Sequence, residues 1–421
     1  MSSGSSGKHA PTDHDHHATL ESSLLRLEEY VRVRDYQGTD PYDALNSPAI
    51  RSLPGKMPKV AMTQLFVYSP IDMRRAFGVR EGRNPKAVAL FLSAYCDLRR
   101  GGMIDERSFT AVADRLVRYL LDARSPGYHG NCWGFNFDWQ DITRFSRAGL
   151  PTVVISSYVG NALLDLYDLN GRREMLDEAM GISDFILQDL NVREEDGGVC
   201  FSYTPIDHHV VHNANMLAAS LLSRLYHHTG REDLLDRAIG AVDFTVQRQE
   251  PDGSWAYSID PRTGDKRRQL DFHQGFVLDA LSDFMRYSGR KDPRYVDALL
   301  AGARFYREEQ FEPDGRSLWR LPRRWPVDIH HQAQGVVTFS KLARFDPQLL
   351  EFASRIALWT VENMQDPRGY FHHQIHERFE NRIAYMRWGQ AWMMYALGKL
   401  LAARGATAGD VPCGKAYISI T

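Results

Sequence analysis

Along most of the chain, apolar residues recur three and four positions apart, the spacing that gathers them on one face of an α-helix. The helical stretches come in pairs. Ser156 to Tyr167 is followed by a turn at Asn170-Gly171-Arg172 and a return stretch from Met175 to Leu187. The same layout recurs as His209 to Tyr226, Thr229-Gly230-Arg231 and Leu234 to Val246, and as His273 to Tyr287, Ser288-Gly289-Arg290 and Tyr295 to Phe305. Glycine at each turn predicts a left-handed C-cap, a conformation that other residues enter only at a steric cost. Two diverged copies read Asn84 to Arg99 turning at Gly101-Gly102 into Phe109 to Leu121, and His330 to Phe345 turning at Asp346-Pro347 into Leu349 to Val361. A final apolar stretch, Arg387 to Ala403, has no partner after it, and the amphipathic stretch Thr19 to Arg34 is free to supply one. Small-residue helices alternating with charged amphipathic ones suit an inner and an outer layer. The pattern predicts an all-α fold, an (α/α)6 toroid of helical hairpins, and excludes a strand-rich domain. Its expected limits are 84–404 for the toroid, 18–83 for an N-terminal ring-closing helix and extended lead-in, and tails at 1–17 and 405–421.

Short Gly-aromatic elements follow most second helices: Gly197 to Phe201, Gly253 to Trp255, Gly315 to Trp319 and Gly369 to Phe371. Pro-Asp-Gly steps in two of them are tight turns. The aromatic after each turn is expected to plug the gap between neighbouring hairpins.

Junctions that lead from a second helix into the next first helix share one rim of such a ring. Three successive junctions carry the same Asp-x-His step, at Asp207-His208-His209, Asp271-Phe272-His273 and Asp328-Ile329-His330, spaced 64 and 57 residues apart. Aspartate is a favoured N-cap, which accounts for the acids. It leaves the imidazoles unexplained, because histidine is a mediocre helix former and its charged form opposes the positive end of the helix dipole. His212, Asn213, Gln274, His331, Gln332 and Gln334 crowd the same first turns. The last inner stretch opens with Arg387, Trp388, Gln390 and Trp392, where arginine can hold a carboxylate bidentately. Another opens with Ser156, Ser157 and Tyr158. Before it runs a segment dense in aromatics and carboxylates, from Trp133 through Asp138 and Trp139 to Asp141.

Composition narrows the reading without redirecting it. Lys+Arg (51) balances Asp+Glu (53), so no global charge argues for nucleic acid or an anionic membrane. A local basic cluster, Arg320, Arg323 and Arg324, is either a solvated loop or a contact for an anion. Four scattered cysteines without Cys-x-x-Cys spacing argue against a disulfide framework and point to a reducing cytoplasm. No apolar run approaches the ~18 residues a membrane span requires. Met1 to His17 is rich in Ser, Gly and His, lacks the apolar core of a secretory signal and is set aside.

The layout resembles the six-hairpin glycosidase-like superfamily, which includes unsaturated uronyl hydrolases, N-acylglucosamine 2-epimerases and related lyases. The stretch Trp133 to Gln140 is similar to VpsJ-like proteins of polysaccharide-biosynthesis clusters. This resemblance covers about residues 84 to 403 and implies a carbohydrate setting. The 2-epimerases move a proton with histidines on inner helices. Uronyl hydrolases use inner-rim aspartates, for which Asp138, Asp207 and Asp271 are the candidates; the chain matches neither pattern completely. A second resemblance, Gln249-x-x-x-Gly253-x-Trp255, is to terpene cyclase toroids, but their acidic Asp-x-Asp-Asp cluster does not occur here.

The leading expectation is therefore an enzyme of polysaccharide metabolism doing acid/base chemistry, as an epimerase, isomerase, hydrolase or lyase, on a sugar or a uronic-acid-containing saccharide. His209, His273 and His331 are the expected acid/base groups, since imidazole titrates near neutrality. Arg387 would anchor an anionic group, and Trp133, Trp139 and Trp388 would stack on the sugar. Tyr158, His212, Asn213, Gln274, His330 and Gln390 complete the expected binding set. No cofactor or metal is expected, although three rim histidines could ligate zinc without cysteine. The partner is a small-molecule or oligosaccharide substrate. Two alternatives stay open: a terpene cyclase-like enzyme, and a non-catalytic saccharide-binding or scaffold protein.

Overall fold

A computed structural model describes residues 12–140 and 145–408; the ends of the two tails, 1–11 and 409–421, lie outside the described residues. Six helices are buried on almost every face: α4 (Pro85–Arg100), α6 (Val153–Asn170), α8 (His212–Thr229), α10 (His273–Ser288), α12 (Ile329–Leu342) and α14 (Trp392–Ala408). Each touches the next, and α14 returns to α4, so the six close into a ring. Around them stand α1 (Asp13–Val33), α5 (Glu106–Asp122), α7 (Arg173–Asp184), α9 (Glu232–Val246), α11 (Pro293–Gln310) and α13 (Gln348–Met364). These outer helices bury one stripe only; in α5 it is Phe109, Ala113, Leu116, Val117 and Leu120. The core is the seam between the two layers. The architecture is the all-α toroid that the hydrophobic pattern predicts.

The turns work as their residues require. Gly171, Gly230 and Gly289 all adopt φ near +70° and end α6, α8 and α10. Loop glycines instead permit close approach: a Cβ on Gly253 would sit 2.5 Å from the Ala301 carbonyl oxygen of α11. Gly369 meets the Arg26 carbonyl of α1 in the same way, at 2.4 Å. Helix α1 thus occupies the sixth outer place, with Leu20, Leu24, Leu27 and Val31 fully buried toward α13 and α14. Each such side chain contributes roughly 2 kcal/mol before chain entropy is counted. The helix begins at Asp13, inside the stretch set aside on composition, with a capping box between Thr12 and Asp15.

Between α1 and α4 the lead-in is a compact layer containing α2 (Pro48–Arg51) and α3 (Met57–Tyr68). It has its own small core of Ala44, Leu45, Ile50, Phe66 and Val79. Buried Arg74 ties it together, donating to Asp43 at 2.8 Å, to the Asp40 carbonyl and to the Tyr385 hydroxyl. Short strands stitch adjacent rim loops: β5 (Val210–Val211) pairs with β6 (Ser258–Ile259) of the next loop, and β8 (Val327–Asp328) with β9 (Gln374–Ile375). The remaining ribbons are β1 (Trp139–Gln140) with β2 (Phe145–Ser146), β3 (Val192–Glu195) with β4 (Gly198–Phe201), and the edge strands β7 (Lys266–Arg267) and β10 (Glu380–Asn381).

Candidate active site

Because each hairpin reverses the chain twice, all inner helices run the same way and their N-terminal ends form one mouth. All three Asp-x-His steps share one local geometry there. The aspartate carboxylate accepts the backbone N–H two residues on, from His209 at 3.1 Å, His273 at 3.2 Å and His330 at 2.9 Å. This is the turn-and-cap chemistry of a short acidic side chain. The three imidazoles then go to different places.

His273 presents Nδ1 to the Asp271 carboxylate at 2.5 Å, which fixes the ring and leaves Nε2 for chemistry. Asp271 is also held by Gln269 at 2.9 Å and Arg320 at 3.3 Å. Against its burial, the His273 imidazole and the Arg320 guanidinium keep the Asp271 carboxyl down at about 2. Phe272 stacks on both His273 (4.3 Å between centroids) and His330 (4.4 Å), so the two imidazoles share one aromatic platform. The His330 ring lies against Trp388 and Trp392 as well, and neither ring nitrogen has a hydrogen-bond partner. Burial, with the charges of Lys86 and Arg387 nearby, pushes its pKa well below the ordinary imidazole value, so it is neutral at physiological pH.

Lys86, in the first turn of α4, escaped the sequence reading. Its ammonium lies over Tyr158 at 4.5 Å, Trp392 at 4.9 Å and Phe276 at 5.3 Å, and has no carboxylate within ion-pair distance among the described residues. Burial and the neighbouring Arg387 lower its pKa well below the lysine range. The available signal was positional: it follows Asn84 and Pro85 at an inner-helix start, the register of His330 after Asp328. Asp328 does more than cap a helix. It also accepts the Gln374 amide at 2.6 Å and the Trp388 indole N–H at 3.0 Å, with His373 Nε2 at 3.6 Å, and burial raises it to about 6. Trp388 faces Tyr42 of the lead-in at 5.6 Å, and Tyr42 faces Trp139 at 6.1 Å, which lines one side of the mouth with half-buried aromatic rings.

The other candidates have different surroundings. Arg387 is engaged bidentately by buried Asp40 of the lead-in, at 2.5 and 2.8 Å, rather than standing open for a substrate anion. Gln274 and Gln390 grip the backbone of the Gly-aromatic loops: each amide accepts one N–H and donates to one C=O, of Trp255 and Phe371 respectively. Gln332 and Asn215 do the same for their own loops. Trp133 is fully buried, its indole N–H on the Leu120 carbonyl at 2.6 Å, and so plugs a hairpin gap as Trp255 does. Asp138 caps the Ala148 amide, and Asp207 staples Tyr203, Thr204 and His209. His209 is exposed, because α8 starts only at His212. His212 turns outward to Phe244 of α9, and burial lowers its pKa to about 3; Asn213 is buried beside it in sequence, its Oδ1 unpartnered. His331 turns to Tyr306 of α11, its pKa lowered to about 4 by burial. Among the described residues, no three His, Cys, Asp or Glu side chains gather at metal-binding spacing. No described helix is long and apolar enough to cross a membrane.

Neither family models nor curated protein sequences give a match to this chain. Solved structures do. The chain is similar to the cellobiose 2-epimerase of Bacillus thermoamylovorans B4167 at 14% identity and a TM-score of 0.61, over 78% of this chain and 90% of that one. A GH76 alpha-mannanase of Bacteroides thetaiotaomicron matches at 11% identity and a TM-score of 0.62, over 94% and 98% of the two chains. An unsaturated glucuronyl hydrolase specific for heparin matches at 12% and 0.62, over 94% and 99%. At these identities the likeness establishes the six-hairpin toroid.

Proposed function

We propose that this protein is a carbohydrate-active enzyme of polysaccharide metabolism that works by acid/base catalysis at the N-terminal mouth, as an epimerase or isomerase. One observation carries the reading: the Asp271–His273 pair stands beside the neutral His330 on a shared Phe272 platform. An imidazole held in one tautomer by a carboxylate and a second, uncharged imidazole are suited to moving a proton off and onto a carbon next to a carbonyl. His273 Nε2 delivers or removes the proton on the open side, and His330 serves the other. Trp388, Tyr42 and Trp139 offer faces for the C–H side of a sugar ring.

Support comes from the toroids that share the fold, several of which are named for sugar epimerisation, sugar isomerisation or glycoside hydrolysis. Hydrolysis fits the mouth less well, because Asp271 is committed to His273 and Arg320, and Asp328 to Gln374 and Trp388. Polar groups converging at the mouth disfavour a terpene cyclase. A cytoplasmic location rests on cysteine usage; the described Cys96, Cys132 and Cys200 are buried and free. The test is incubation with a panel of aldoses, ketoses, uronates and disaccharides in deuterated water. Deuterium entering a C–H bond of one sugar, and its loss in His273→Ala, is the expected result. Binding of a sugar with no exchange and no new product would leave a saccharide-binding protein instead.

A further inference from the structure

The C-terminal halves of the inner helices meet at the end of the barrel opposite His273 and His330, where they surround an open cavity of about 1010 Å3. That is the upper end of the range for small-molecule sites. Tyr158 is the partition: it lines this chamber and also the Lys86 cage. The wall is ionic. Arg224 pairs with Asp165 at 2.8 Å, Lys399 with Asp97 at 2.9 Å and Lys341 with Asp283 at 2.6 Å.

Two guanidiniums of the wall stand outside these pairs. Arg286 and Arg344 stand exposed at the chamber's edge with no carboxylate within ion-pair distance among the described residues, Arg344 donating to the Ser282 hydroxyl at 2.6 Å. Burial lowers the pKa of Arg344, the Asp283 carboxylate opposes that fall, and the Arg286 charge adds to it. Cations suit helix C-termini, which explains their presence but not the open volume they face. Unpaired neutral-ligand chemistry lies in the same wall. Asp279, over nine-tenths buried, receives the Gln334 amide on Oδ2 at 2.8 Å and has no partner on Oδ1. The Ser340 hydroxyl and Arg224 Nε are likewise buried without a partner, and such groups carry a cost.

We propose that this chamber is a second ligand site that takes a small hydroxyl-rich anion, a uronate or a sugar phosphate. Its carboxylate or phosphate meets Arg286 and Arg344, and its hydroxyls meet Asp279, Ser340 and Arg224. Tyr287 and Tyr395 supply ring faces along the way. The site is separate from the His273 mouth and does not rest on its assignment.

Isothermal titration of the full chain at low salt tests this with D-glucuronate, glucose 6-phosphate, glucose and inorganic phosphate. Glucuronate or glucose 6-phosphate should bind, whichever binds naming the anion, with glucose and inorganic phosphate each at least about ten-fold weaker. Arg286→Ala combined with Arg344→Ala should weaken binding about ten-fold or more. Ala343→Trp, at the partly exposed rim, should block it, and His273→Ala should leave it unchanged. Asp279→Asn gives a second variant that keeps the volume, with a several-fold loss expected. Equal binding of glucose would overturn the anionic part, and equal binding of inorganic phosphate would reduce the chamber to an adventitious ion site. No binding by any probe, or unchanged affinity in a normally folded Ala343→Trp, would sink the proposal.

Discussion

The two ends of the same six helices are built on opposite principles. At the C-terminal end, lysines and arginines sit where the helix dipole favours them and are mostly matched by carboxylates. At the N-terminal end, Lys86, Arg387 and several histidines crowd the positive ends of the dipoles, where cations are disfavoured, and aromatic rings rather than acids surround Lys86 and His330. Helix electrostatics favours the cations of the first arrangement, and the carboxylates beside them are held there by those cations. It cannot account for the second, which persists only because packing enforces it. Cations at the positive ends of helices, caged by rings, are the kind of local conflict that favours the mouth as the site proposed above.

The contrast can be broken by substitution, and the largest effect belongs at the mouth. His273→Ala should lower turnover about 10³-fold, the order expected for losing a general acid or base, and should cost less stability than Arg387→Ala, because Asp271 keeps Gln269 and Arg320. Ala343→Trp at the other end should leave turnover intact; a parallel loss there would merge the two ends into one site. Arg387→Ala should be a stability mutant first, costing about 3–5 kcal/mol in denaturant unfolding because Asp40 is left buried without its partner. Removing Asp40 as well should restore part of that. If Arg387→Ala unfolds normally yet fails only with anionic sugars, Arg387 is a substrate anchor and its pairing with Asp40 is incidental. Gly369→Ala touches neither end and should still cost about 3 kcal/mol, since a left-handed backbone and the Arg26 carbonyl both oppose a Cβ.

The smallest expected effect is a pH dependence. His212 is neutral in the fold, with its pKa lowered to about 3 by burial, whereas the unfolded chain binds a proton near 6.5. Below 6.5 the unfolded state therefore holds more protons, so this residue's contribution to stability is present at neutral pH and lost as pH falls toward 3. At pH 5 the loss is about 2 kcal/mol, and His212→Phe should remove it in a comparison of unfolding midpoints at pH 7 and 5. Asp279 and Asp328, both raised to about 6 by burial, act in the opposite sense: their contribution falls as pH rises from about 4 to 6. The paired comparison, not the wild-type curve, isolates the imidazole.

Much of the ring could be read from the chain because its determinants are local. Glycine at 171, 230 and 289 ends a helix wherever it stands, since the left-handed conformation concerns one residue and its neighbours. Aspartate at 207, 271 and 328 accepts the amide two residues on each time, although only Asp328 stands at a helix N-cap. The same signal misled about the histidines it accompanies. His330 and His331 are adjacent in sequence, yet one packs on Phe272 and Trp392 and the other on Tyr306 of an outer helix, because one step along a helix turns a side chain by about 100°. His209 is left outside because the inner helix begins three residues later. Lys86 and Asp40 gave no motif, because their surroundings come from segments far along the chain: Tyr158, Phe276 and Trp392 for one, Arg387 for the other. Spacing along the chain set how many hairpins form and where each turns. Which side chains meet in the barrel's interior was set by helix phase and ring closure, which depend on contacts across hundreds of residues.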